Sequence, residues 1–487
     1  EYPFDIRPAG TTVSYREALD PNAPWVVAGR SPILDITLPR GPLRFRLTND
    51  GYLPREFQRQ FPQFLKHDGT IRLEPVDKGR KGMTHIDGVD KADWDRLPMD
   101  LRSFYIDSYE VTNREFQAFV DADGYGRQEF WMELELIDGN QTLTWNQAMD
   151  RFVDLTGQHG PATWSDGRFP AGKAEHPVSG VSWFEAMAFA KFAGKHLPTV
   201  FHWYWAADCE SSQTFITTRL SNFSQQGATP RGDHDGIGRF QVYDMAGNVR
   251  EWCFNKDHQG RRFIMGGSWN DREYLFVVPD ADSPWSRAAR NGFRCAVYGE
   301  NGPEPEFLAA IDLTPKAEKF ALPDPKPIEP LLQAYEYDRD LPFNAEMIQA
   351  DSTDPSPVYR REIIQIDTAY DEERFDLHLL IPRTNKKKFR TVVFYPGIGG
   401  FNSKRESPGQ NRGEWANVEM LARMGMIACY PEYMGTHDRH LTNKYQIRYK
   451  ELPVRFKGER IATFIDLQRT VDYLMTRKDV DGEGLLY

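Results

Sequence analysis

The chain has 487 residues, of which 40% are hydrophobic and 13% aromatic, enough to bury several cores, and its length sets an expectation of about three domains. A formal charge of −11 leaves no surplus of positive potential for phosphates or anionic lipid, so no nucleic-acid partner is expected. No apolar run reaches the roughly 18 to 20 residues that cross a bilayer, so no membrane span is expected in this chain.

The chain opens on Glu1 and lacks the basic, apolar and small-residue succession of a signal peptide. The natural N-terminus is therefore expected to lie upstream, and the compartment stays open. The cysteines Cys209, Cys253, Cys295 and Cys429 make neither a disulfide framework nor a CxxC pair, and buried small hydrophobes are expected. The run Lys386-Lys387-Lys388 reads as a solvated turn before a strand.

Residues 1–75 read as short strands between turns. In 41-GPLRFRLTNDGY-52, Leu43, Phe45 and Leu47 alternate with Arg44, Arg46 and Thr48, the period of a half-buried strand, and a small β-sandwich is expected. The stretch 29-GRSPILDITLPRGPLRFRLTNDGY-52 resembles the PEGA family, β domains found beside bacterial signalling and envelope domains and without known chemistry.

From 80 to 299 the texture turns to aromatic-rich segments broken by Gly, Asn and Asp. The segment 113-NREFQAFVDA-122 puts Phe116, Phe119 and Val120 on one helical face, with Asn113 as the expected cap. A second helix, in 182-SWFEAMAFAKFAGKHLP-198, opens on a Ser182–Glu185 capping box and closes near Gly194. Loops dominate the rest, so bound ions or buried side-chain networks are expected to satisfy the backbone.

Five segments carry a resemblance: 104-FYIDSYEVTNREFQAFV-120, 176-HPVSGVSWFEAMAFAKFAGKHLPT-199, 243-YDMAGNVREW-252, 266-GGSW-269 and 292-GFRCA-296. In order and spacing they resemble the formylglycine-generating enzyme, or sulfatase-modifying factor, family over about 220 residues. The resemblance implies a loop-rich α+β variant of the C-type lectin fold. It also implies a chemistry: aerobic members hold copper(I) on two cysteines and oxidise a substrate cysteine, since soft thiolates suit Cu(I). Counted from Gly266-Gly267-Ser268-Trp269, the two cysteine positions fall on Asp271 and Phe276, and Cys295 belongs to the GFRCA strand. Copper is therefore not expected. Other relatives hold iron on three histidines of a separate helical domain. Here His176, His196 and His202 lie scattered over motif segments and read as structural hydrogen-bonding groups.

The resemblance further implies a calcium loop in 244-DMAGNVRE-251, with the Asp244 side chain, the Gly247 and Val249 carbonyls and the Glu251 carboxylate as ligands. The hard oxygens that Ca²⁺ needs are present. The other reading is a glycine turn with Asp244 and Glu251 solvated or hydrogen-bonded. The position matching a second family calcium site, Asn222 and Phe223, lacks its acidic loop. Trp269, Asn270, Asp271, Trp285 and Arg287 read as an aromatic and polar rim that binds an unknown peptide or glycan ligand, or else simply packs.

Residues 300–330 are dense in Pro and charge and read as an exposed linker. From 331 to 487, strands in REIIQIDT, RFDLHLLIP, RTVVFYPGIGG and MIACYPEYM alternate with helices in GEWANVEMLARMG and GERIATFIDLQRTVDYLMTRK, and a mostly parallel sheet is expected after 390. Phe464, Leu467, Val471 and Leu474 share one face of the last helix. This segment resembles the N-terminal half of the α/β-hydrolase family, a partial sheet in which Gly397, Ile398 and Gly399 stand at the oxyanion loop, or in which Gly397, Gly399 and Gly400 merely turn the chain. The nucleophile elbow, acid and histidine of that family are expected beyond Tyr487. The domain order resembles the region downstream of bacterial Ser/Thr kinases, although no HRD–DFG signature occurs. The leading reading is a calcium-stabilised, non-catalytic binding or sensor module in a multidomain protein. The alternatives are a divergent formylglycine-generating oxidoreductase and an esterase whose catalytic half lies further on.

Overall fold

The structure, a computed structural model, describes residues 6–33, 38–39, 41–61, 70–92, 97–139, 141–209, 214–299, 302–311, 332–350, 356–395, 412–439 and 453–486. The chain forms two compact units, Glu1–Ala317 and Glu318–Tyr487.

The first unit begins with β1 (Ile6–Arg7), β2 (Thr12–Glu17), β3 (Val26–Arg30), β4 (Gly41–Thr48), β5 (Arg55–Phe61) and β6 (Ile71–Arg72). β2 to β5 form an antiparallel sheet in the order β3-β2-β4-β5, and β1 pairs in parallel with β6. Leu43, Phe45 and Leu47 enter a core with Ile6, Val13 and Phe57, as their period predicts. The opposite face of β4 departs from the half-buried expectation. Arg44 is 3% exposed, with Nε 2.6 Å from Glu56 and Nη1 2.9 Å from Asp235. Gln58 of β5, paired with Arg44 in register, donates to the Asp235 carbonyl on the same face, while Arg59, on the face of Leu43, reaches the Asp208 carboxylate. Buried polar groups are tolerated where they are paired, so this polar face is a docking face.

Next come β7 (Met83–Ile86), β8 (Phe104–Asp107), α1 (Asn113–Asp121), the small β9–β10 hairpin (Ile137–Asp138 and Gln141–Thr142), α2 (Trp145–Met149), α3 (Trp183–Phe192), α4 (Val200–Ala206) and α5 (Thr214–Arg219). They are followed by β11 (Arg250–Lys256), β12 (Arg262–Met265), β13 (Asp280–Asp282), β14 (Asn291–Gly292) and β15 (Ala296–Val297). The sheets run β15-β8-β7 and β13-β12-β11-β14. Ser182 and Glu185 form the expected capping box on α3. On α1 the cap is Thr112 and not Asn113: Thr112 is the extended residue, its Oγ1 accepts the Glu115 N–H, and Glu115 accepts the Thr112 N–H. Asn113, one residue inside, instead holds the Lys173 carbonyl and the Trp164 indole. α1 and α3 share a core in which the Phe116 and Phe189 rings stack at 5.4 Å. A second core surrounds Trp203 of α4, with Phe104, Met265 and Phe276.

The segment read as the start of a linker is part of this second core. Phe307 is fully buried against the rings of Phe201 and His202, and the Asn255 amide donates to the Phe307 and Ala309 carbonyls. Residues 312–331 lie outside the described residues.

The second unit holds β16 (Glu346–Ala350), β17 (Tyr359–Asp367), β18 (Arg374–Pro382), β19 (Phe389–Val393), α6 (Arg412–Arg423), β20 (Ile427–Pro431), α7 (Pro453–Thr476) and β21 (Val480–Leu486). Its sheet order is β16-β17-β18-β20-β19-β21. β16, β17, β18 and β20 pair antiparallel in turn, while β20, β19 and β21 pair in parallel, so the parallel part is the strand–helix alternation after 390. Leu474 of α7 is buried and Leu467 and Val471 pack on the same core, but Phe464 is 43% exposed and meets the Tyr335 ring edge-on. Gly397, Ile398, Gly399 and Gly400 lie outside the described residues.

Candidate functional site

The loop before β11 sits on a buried charge cluster. Gly247 has φ +74°, and a Cβ there would stand 2.2 Å from the Asn222 carbonyl oxygen, so the close approach of these two backbones requires glycine. Both Glu251 and Arg294 are wholly buried. Glu251 accepts from Arg294 Nη2 at 2.6 Å, Arg294 Nε at 2.7 Å and the Trp203 indole at 2.6 Å. Arg294 also donates to the Asp107 and Tyr243 carbonyls. Glu110 accepts from the Asn248 amide at 3.1 Å. Three carboxyls, Glu110, Asp244 and Glu251, thus share one guanidinium. Burial, reinforced by neighbouring carboxylates, pushes Glu110 well up and Asp244 to about 7.

This cluster decides how well a calcium ion fits. Asp244 is 2% exposed and its Oδ2 has no hydrogen-bond partner, so it offers a free hard oxygen beside the Gly247 and Val249 backbone. Glu251 does not, because both its oxygens are held by Arg294 and Trp203. Of the acidic residues expected as ligands, the loop thus leaves Asp244 with a free oxygen, while Glu251 serves as the anchor of Arg294.

Asp271 and Phe276, where the resemblance leads us to expect a thiolate pair in an active enzyme, both have structural partners. Asp271 accepts from Arg250 Nε at 2.7 Å, Arg250 Nη2 at 2.9 Å and the Ser268 hydroxyl at 2.7 Å. Burial raises this carboxyl, yet the bonds from Arg250 and Ser268 outweigh it and hold it below the usual carboxylate range. Phe276 is 1% exposed, edge-on to Trp203. All four cysteines are buried, and burial drives the Cys253 and Cys295 thiols well up, the reverse of an activated thiolate.

The expected rim residues do not form one surface. Trp269 lines an open cavity of about 460 Å³ together with Ser224, Gln226, Thr229, Asn113, Thr163, Lys173, His176 and Ser179. Asn270, next in sequence, is exposed. Trp285 instead stacks on Phe152 at 5.5 Å and donates its indole N–H to the Ile137 carbonyl. Arg287 is a buttress under α3, with Nε 2.9 Å from Glu185 and Nη1 on the Arg151 and Val153 carbonyls.

The three histidines stand apart. His202 is buried against the Thr199 hydroxyl at 2.6 Å, and burial takes its pKa down to about 3. His196 pairs through its backbone with Ala296. His176 lines the Trp269 cavity with its Nδ1 buried and unpartnered and its Nε2 2.9 Å from Lys173 Nζ. Burial and the Lys173 charge lower its pKa.

Sequence reading missed Arg294 and Glu110 as charge-cluster members, although both lie within quoted motif segments. It also missed Asp376, His378 and Glu432 in the second unit, whose donor atoms lie within 4.8 Å of one another. There the Arg361 guanidinium, a pure donor, stands 2.8 Å from His378 Nδ1, which places the ring proton on Nε2, 2.9 Å from Glu432. A metal at Nε2 would have to displace that proton beside a guanidinium, so the cluster reads as a hydrogen-bonded relay.

Comparison with known proteins agrees with the motif segments. The family model for the sulfatase-modifying factor enzyme 1-like domain matches residues 76–298. The formylglycine-generating enzyme of Thermomonospora curvata is 29% identical over 282 residues, covering 44% of this chain and 93% of the relative. The inactive C-alpha-formylglycine-generating enzyme 2 of Bos taurus is 28% identical over 274 residues, covering 48% and 90%. The serine/threonine-protein kinase pkn1 of Chlamydia caviae is 28% identical over 223 residues, and the match spans 40% of this chain but only 33% of the kinase. Among solved structures, CarF matches with a TM-score of 0.31 and 20% identity over 44% of this chain and 97% of its own. Acetyl xylan esterase 1 from Thermoanaerobacterium sp. matches with a TM-score of 0.24 and 12% identity over 32% and 48%. No helix among the described residues is long and apolar enough to cross a membrane. Residues 76–298 thus carry a domain similar to sulfatase-modifying factor enzyme 1, set within a longer chain.

Proposed function

We propose that residues 76–298 act as a non-catalytic binding module, stabilised by calcium at Asp244, that takes a peptide or glycan ligand in the groove beside Trp269. The observation that carries this reading is that an ion-paired aspartate, Asp271 on Arg250, and a core ring, Phe276, stand where the resemblance expects the thiolate pair. A relative named as an inactive formylglycine-generating enzyme is consistent with loss of the reaction on this scaffold. The groove supports binding: an aromatic plane and hydroxyl and amide side chains line one concavity. The similarity to pkn1, together with the PEGA-like and hydrolase-like flanks, supports a place in a larger, kinase-associated protein.

The experiment is a peptide and glycan array probed with the full chain, one peptide arm carrying Cys-Xaa-Pro-Xaa-Arg with Cu(I) and oxygen. Binding at the groove is expected to weaken about tenfold or more in Trp269→Ala, since a buried aromatic anchor contributes on the order of 2 kcal/mol. Retention of full affinity would refute the groove. Calcium at millimolar concentration is expected to raise the melting temperature of the first unit, and EDTA to reverse it. The effect is expected to vanish in Asp244→Asn, and a shift that survives this substitution would place the ion elsewhere.

A further inference from the structure

Away from the Trp269 groove, a cleft of about 430 Å³, within the size range of small-molecule sites, opens in the first unit. Its lining comes from several stretches of chain: Arg55 and Arg72 of β5 and β6, Lys78 after them, His85 and Tyr105 of β7 and β8, and Phe240. A smaller adjoining cavity of about 180 Å³ shares Arg55 and Arg72 and adds Arg239.

The charges here do not cancel. The two carboxylates are already engaged by the protein: Glu74 accepts from the Tyr105 hydroxyl, and Asp87 lies 3.4 Å from Arg55 Nη1 and 3.7 Å from His85 Nδ1. Arg55 is spent on that contact and on the Arg72 and Arg239 carbonyls, a clamp between these stretches. The exposed Arg72 guanidinium and Lys78 ammonium have no acceptor among the described residues. Arg55, Arg72 and Lys78 against Glu74 and Asp87 leave the lining of the cleft one positive charge in excess. Beside them the accessible lining is apolar at Leu53 and Pro54.

We propose that this cleft binds a small molecule bearing a phosphate or carboxylate oxyanion, its charge held by Arg72 and Lys78 and its apolar body laid against Leu53 and Pro54. A planar guanidinium suits two-point contact with either oxyanion, and the lysine adds a point charge. Because the walls belong to separate stretches of chain, the ligand also ties residues 1–75 to the strands β7 and β8, beyond what the Arg44 and Arg55 contacts do.

The test is titration calorimetry and thermal unfolding of the full chain with AMP, inorganic phosphate and citrate as probes. At least one is expected to bind and to raise the melting temperature, more weakly as salt is added. Arg72→Ala with Lys78→Ala is expected to cut that affinity by about tenfold to a hundredfold while leaving the unliganded melting temperature unchanged, since both side chains are exposed. Trp269→Ala leaves this binding intact, which separates it from the groove. Preference for AMP over phosphate assigns the apolar body, and preference for citrate assigns a polycarboxylate. No binding by any probe, or binding that the double variant leaves untouched, overturns the proposal.

Discussion

An Arg294→Met chain is expected to lose about 3–5 kcal/mol from the first unit, the cost of removing one partner from a buried ion pair. The side chain is wholly buried and donates to both oxygens of Glu251 and to two backbone carbonyls. Without it, and in EDTA, Glu110, Asp244 and Glu251 face one another with no cation among them. Each must then take a proton, or the loop before β11 must open to water. Arg294→Lys is not expected to rescue, because one ammonium cannot reach four acceptors arranged for a planar fork. Adding Glu251→Gln to Arg294→Met is expected to return part of the loss by removing one orphaned charge. Denaturant unfolding followed by tryptophan fluorescence checks all three, with Trp203 beside Glu251 as a local reporter. A loss below about 1 kcal/mol in Arg294→Met, the scale of an exposed pair, would contradict the role given to this cluster.

The second large effect is expected at Arg287, which sequence reading placed on a ligand-binding rim. Arg287→Ala strips the guanidinium from a fully buried Glu185 and frees the Arg151 and Val153 carbonyls. Glu185 keeps the Tyr125 hydroxyl at 2.8 Å and its capping bond to the Ser182 N–H at 2.8 Å, neither of which supplies positive charge. A loss of about 3–5 kcal/mol is expected. Ligand binding at the Trp269 groove is expected to stay intact at temperatures where the unit remains folded. An unchanged melting temperature with lost binding would return Arg287 to the recognition surface.

These two residues also mark where sequence reading stops. Local signals were legible: the Ser182–Glu185 box fixed the start of α3, and the Leu43–Phe45–Leu47 alternation gave the core face of β4. Even so, neighbouring Thr112 and Asn113 are both good caps by residue type, and only the backbone conformation chooses Thr112. Polar residues whose partners lie far along the chain were misjudged as exposed. Arg44 meets the Asp235 carbonyl across 191 positions, and Arg287 meets Glu185 across 102. No periodicity can encode such a meeting, because the second partner belongs to another element. The same holds at Asp271, where the residue type announced the missing thiolate but not the Arg250 pair that makes the aspartate part of the scaffold. Conversely, the GFRCA segment was read for its cysteine, while its arginine does the structural work.

The central claim is that the scaffold persists without the oxidation, and the copper arm of the array tests it most directly. The full chain, Cu(I), oxygen and a Cys-Xaa-Pro-Xaa-Arg peptide are incubated and the peptide is weighed by mass spectrometry beside a protein-free copper control. The account predicts a peptide that keeps its thiol, or forms only the disulfide seen in the control, while the Trp269-dependent array signal persists. Protein-dependent conversion of the cysteine to formylglycine over many turnovers would contradict it.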